Sequence, residues 1–127
     1  MDRPTLLRDF GAALTRLEEA LREPVTGDLL RAGCIQYFEF TFELAWKTAK
    51  SAAEEAGLAD VGSPRASLRQ AFRQGWIKDE EPWLAMLEAR NRMAHTSAPE
   101  QAPRIYESLP AFARALRQLH ARLGHVP

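Results

Sequence analysis

The chain has 127 residues, with 17 lysines and arginines balancing 17 aspartates and glutamates, and a single cysteine. That length makes one domain, 1–127, able to bury roughly two thirds of its unfolded surface without a metal or disulfide, and the lone Cys34, set in an apolar run, excludes an intrachain disulfide and fits a small buried thiol. Zero net charge excludes nucleic-acid binding by bulk electrostatics while leaving room for a local basic cleft; Asp2, Arg3, Asp9 and Glu18 interrupt any signal peptide, and no apolar run approaches the roughly 20 residues of a membrane span, so a cytoplasmic protein without membrane contact is expected.

Leu6, Phe10, Leu14, Leu17 and Leu21 recur at helical spacing and predict a first amphipathic helix, ended by Pro24. Thr26 or Asp28 is placed to cap the next one. The second helix runs from about Leu29 to Ala56, with Gly57 as its stop. Its apolar residues fall on almost every side, so it is expected at the centre of the fold. A polar line survives along it through Gln36, Glu39, Glu43, Lys47, Lys50 and Glu54. Glu43 and Lys47 form an i,i+4 pair in the favourable order. The line reads either as an exposed strip or as a groove or interface where Glu39 and Glu43 orient a base or an arginine.

Ser63-Pro64 marks a third helix start, with Ser63 as cap and proline in the first turn. Leu68, Ala71 and Phe72 are expected to bury one face, while Arg65, Arg69 and Arg73 stand four apart as a short basic ridge, a solvated face or a phosphate-tracking one. Gly75 ends this helix, with Trp76 and Ile77 packing back after it. Asp79-Glu80-Glu81-Pro82 opens a fourth helix with acidic residues at the positive end of its dipole. Ser97 and Glu100 form a candidate capping box for the last helix, whose stripe is Ile105, Leu109, Phe112, Leu116, Leu119 and Leu123. Pro110 is expected to kink or divide that helix. His120 and His125 hold no ligand spacing with His95 and are expected to face solvent. With no strand alternation, glycine-rich phosphate loop, Cys/His metal pattern or nucleophile elbow, the fold class is all-α, an antiparallel bundle of about five helices, and no metal or organic cofactor is implied.

The stretch with chemical promise is Arg90-Asn91-Arg92-Met93-Ala94-His95-Thr96-Ser97. Asn91 and His95 share a helix face, whereas Arg90 and His95 lie about 140° apart around an ideal helix. One regular helix therefore cannot aim both at one phosphate. Either the helix ends before His95 and the chain turns it back, or a second copy across a two-fold axis completes the site.

Two stretches taken together, Ile35-Gln36-Tyr37-Phe38-Glu39-Phe40-Thr41-Phe42-Glu43-Leu44-Ala45-Trp46-Lys47 and Arg90-Asn91-x-x-x-His95-Thr96, with Ser63-Pro64-Arg65 and Trp83-Leu84-x-Met86-Leu87 between them, resemble the nucleotidyltransferase substrate-binding protein family of the HEPN superfamily. The resemblance spans about Leu6 to Leu123. It implies a helical homodimer or higher even oligomer and a partner, a separate minimal nucleotidyltransferase, in a toxin and antitoxin-like pair. In relatives the Arg-x4-6-His motif belongs to a metal-independent ribonuclease site at the dimer cleft. Carried over, His95 is the general acid/base, Arg90 stabilises charge on the phosphate, and Asn91 orients the attacked group. The alternative is a non-catalytic subunit that presents nucleotide or substrate to the transferase. One departure stands out: relatives commonly continue His-x-Tyr, the tyrosine accepting nucleotide from the transferase, and here that position is Ser97. Thr96 and Ser97 are the hydroxyls left for such a modification, and Ser97 is equally suited to a cap.

Overall fold

A computed structural model describes residues 1–24, 26–95 and 101–127, with the backbone alone for residues 94 and 95. Among the described residues five helices make an antiparallel bundle, and there is no strand. They are α1 (Arg3–Arg22), α2 (Asp28–Glu55), α3 (Pro64–Arg73), α4 (Glu81–His95) and α5 (Ala102–Leu123). None is long and apolar enough to cross a membrane among the described residues.

Local chemistry sets most of the ends. The Asp2 carboxylate accepts the Thr5 N–H at 2.9 Å to start α1, and Ser63 Oγ accepts the Ala66 N–H at 3.1 Å to start α3. α2 stops because Gly57 takes a φ of +77°, from which its N–H reaches the Glu54 carbonyl and that of Leu58 reaches Ala53. Gly75, at +78°, ends α3 in the same way: its N–H bonds to Phe72 and that of Trp76 to Ala71. This pairing satisfies carbonyls that a helix end would otherwise strand. It also turns Trp76 and Ile77 back into the core, where both are buried.

α2 is the central helix, packed against α1, α3 and α5. Phe38 and Phe42, both fully buried, lie 6.0 Å apart between ring centroids. Phe38 meets Phe112 of α5 at 5.2 Å, and Phe42 meets Trp83 of α4 at 6.4 Å, so this pair of aromatics ties three helices together. Two hydroxyls in the same wall, Thr41 and Thr48, are satisfied by carbonyls of their own helix, Tyr37 and Leu44.

Four sequence expectations are corrected, and a fifth, the Ser97–Glu100 capping box, falls outside the described residues. The cap of α2 is Gly27, without a side-chain bond; Asp28, already inside the helix, pairs with Arg31 instead of capping. Phe72 is 41% exposed, since the narrow α3 needs only Ser67, Leu68 and Ala71 to cover its contact. α5 begins at Ala102 with Gln101 in the cap position; Ser97 and Glu100 lie outside the described residues. Pro110 does not divide α5, because it sits on the exposed side while Leu109, Phe112, Ala113 and Leu116 continue the buried stripe past it. His120 does not face solvent: Nε2 donates to the Leu7 carbonyl at 3.1 Å and the ring meets Phe10 edge-on at 5.1 Å.

Candidate active site at the end of α4

The polar line of α2 meets α4 at one point. Glu43 Oε1 accepts the Nε–H of Arg90 at 2.8 Å, and Glu43 Oε2 accepts the indole N–H of Trp46 at 2.9 Å. Arg90 also donates through Nη1 to Asn91 Oδ1 at 3.2 Å. Glu43 and Arg90 are each about one third exposed at the side chain, 32% and 34%, so their pairing is shielded more than a surface ion pair while staying open on one side. The expected Glu43–Lys47 pair does not form; the Glu43 oxygens take Trp46 and Arg90 instead. Lys47 is exposed, with its ammonium 6.0 Å from the Trp46 ring centroid.

Glu39, one turn before Glu43, is half-buried. Burial pushes its carboxyl above the ordinary glutamate value, and the charge of Glu43 pushes the same way. Asn91 is exposed, and Arg92 pairs with Glu88 one turn back on the outer side of α4. The helix runs to His95, so a helix ending ahead of the histidine is not the solution used. The His95 side chain, and Thr96 and Ser97 entirely, lie outside the described residues.

Other candidates are elsewhere. Arg65, Arg69 and Arg73 are exposed; the first two line a cleft of about 190 Å³ against Glu80, Leu84 and Leu87, and Arg73 is not part of it. A broad groove of about 1010 Å³ runs between the first half of α4 and the second half of α5, over Trp76, Trp83 and Phe112. Neither includes Arg90 or Asn91. Among the described residues no cluster of His, Cys, Asp or Glu could hold a metal ion.

The sequence pattern of a family described as nucleotidyltransferase substrate binding protein like matches residues 6–125. The chain belongs to that family. A curated relative, the probable ribonuclease HepT of Haemophilus influenzae, is 33% identical over 96 residues, 72% of this chain and 66% of that protein. The match thus spans just under two thirds of HepT. Two solved structures share the bundle with a TM-score of 0.80 each. One is ttk003001694 from Thermus thermophilus, 32% identical over 90% of this chain and 98% of that one. The other is HI0074 from Haemophilus influenzae, 30% identical over 94% and 99%, described as the fold of a substrate binding domain of a nucleotidyltransferase.

Trp46 is the residue of the candidate site that sequence reasoning passed over. Its signal was present: an indole N–H on a mostly buried helix needs an acceptor, and Glu43 stands three residues before it.

Proposed function

We propose that this protein is the HEPN-type partner subunit of a minimal nucleotidyltransferase and is itself a metal-independent endoribonuclease, with its site at the cleft of a homodimer. The carrying observation is the Arg90 guanidinium, fixed on Glu43 beside Asn91, on the helix that ends at His95. Because α4 runs through both positions, residues 90 and 95 stand about 140° apart around the helix, which favours a site shared between two copies over one built within a single chain. Tyr37 and Phe40, exposed on α2 just ahead of Glu43, supply the apolar surface a second copy would cover.

The reaction such a site performs needs no cofactor, since RNA carries its own nucleophile. The ribose 2′-oxygen attacks the adjacent phosphorus and its proton passes to the His95 imidazole. The bond from phosphorus to the 5′-oxygen breaks, that oxygen receives a proton, and a 2′,3′-cyclic phosphate is left. An imidazole near neutral pKa suits both transfers. Arg90 stabilises the charge that builds on the phosphorane, and the Asn91 amide, whose Oδ1 already accepts from Arg90, orients the attacked group.

The description of HI0074 supports a second reading, a non-catalytic subunit presenting nucleotide or substrate to the transferase. Incubation of the purified protein in EDTA with end-labelled transfer and messenger RNA separates the two. Cleavage leaving a 2′,3′-cyclic phosphate, lost in His95→Ala and in Arg90→Ala, is the expected result. A folded dimer that cuts nothing overturns the ribonuclease and leaves the presenting subunit.

A further inference from the structure

We propose that Glu43 and Trp46 are positioning residues: they lock the Arg90 guanidinium so that only its Nη edge is offered to the scissile phosphate. The inference rests on the ribonuclease reading above. A guanidinium has five N–H donors in a rigid plane. In Arg90 the Nε–H is spent on Glu43 and one Nη1–H on Asn91. The three that remain are all on Nη1 and Nη2, with no partner among the described residues.

The carboxylate that holds Nε is itself held. Its second oxygen takes the Trp46 indole N–H, and Trp46 is only 9% exposed, part of the hydrophobic core. Orientation therefore passes from the packed interior of the bundle to the indole, to the carboxylate, and on to the guanidinium. A long arginine side chain left free would have to be ordered by the substrate at an entropic cost. Here that ordering is done by the fold.

The arrangement has an electrostatic consequence. Glu43 opposes the positive charge of Arg90, so it weakens attraction for phosphate in the ground state while improving alignment in the transition state. Removing it should separate the two effects. Glu43→Gln removes the charge and the second acceptor; Trp46→Phe removes the donor together with part of the core packing, which the Tm of the variant reports.

The experiment is steady-state cleavage of a fluorophore-quenched single-stranded RNA oligonucleotide, with Tm measured on each variant. Glu43→Gln should lower kcat about 10- to 100-fold while KM stays level or falls. Trp46→Phe should lower kcat in the same direction by less. Unchanged kcat in both variants, or a loss that follows Tm and is recovered on cooling, overturns the positioning role and leaves the ribonuclease standing. If wild-type protein cuts nothing, the ribonuclease and the positioning role fall together.

Discussion

Gly11 of α1 and His120 of α5 are fitted to each other: a Cβ on Gly11 would stand 2.7 Å from His120 Nε2, closer than any real contact allows. The imidazole occupies the space that a side chain would take, with Nε2 on the Leu7 carbonyl and its edge on Phe10. A glycine in mid-helix costs about 1 kcal/mol against alanine, so its presence there has a packing reason. Gly11→Ala should destabilise the wild-type protein by about 1–2 kcal/mol, by displacing the ring and breaking its hydrogen bond. In a His120→Ala background the same change should be neutral or stabilising. A double-mutant cycle by urea denaturation reads the difference, and additive effects would refute the fit.

Glu39 carries a pH signature. Its folded pKa lies above the unfolded one, so the folded state binds more protons, and stability falls as pH rises from the ordinary glutamate pKa through the raised value. Above the raised value the penalty is complete. Glu39→Gln should therefore raise Tm by about 1–2 °C at pH 7, a small effect because the group is partly solvated. Below the unfolded pKa the gain should vanish. Equal Tm shifts at both pH values would contradict this account.

Phe40 is 55% exposed on α2, three residues before Glu43. If a second copy covers it, Phe40→Glu should convert the dimer to monomer in light scattering, leave Tm of the monomer fold nearly unchanged, and abolish RNA cleavage although Arg90, Asn91 and His95 are intact. A persistent dimer with full activity would show that the pairing face lies elsewhere.

Cys34 is 4% exposed, and burial raises its thiol pKa. The thiolate is the reactive form, so native protein should react with a disulfide reagent at least about 100-fold more slowly than protein in denaturant. Rapid stoichiometric labelling of the native state would mean that the start of α2 opens far more readily than its packing implies.

The helices were legible in the sequence because their signals are local. The Leu6, Phe10, Leu14 and Leu17 stripe, the Ser63-Pro64 start and the Gly57 and Gly75 stops each depend on residues within one or two turns, and each is found where the pattern put it. The central place of α2 was legible too, since a helix that is apolar on nearly all sides can be satisfied only by neighbours on several of them. The Arg90-Asn91-His95 spacing likewise followed from one stretch of chain.

What tertiary structure decided were the partnerships that local pattern leaves open. Glu43 had Lys47 four residues away and took Arg90, 47 residues away, because the packing of α4 on the bundle brings a planar donor to a carboxylate already half-removed from water. His120 looked like a surface residue until α1 presented a glycine to its ring and, 113 residues away in the chain, the Leu7 carbonyl to its Nε2. Pro110 was tolerated because the stripe on either side of it was already buried. Helix periodicity and capping depend on neighbours along the chain, so the sequence alone determines the elements. Which charge meets which donor, and which ring fills which gap, depends on how the helices pack, and only the tertiary structure decides it.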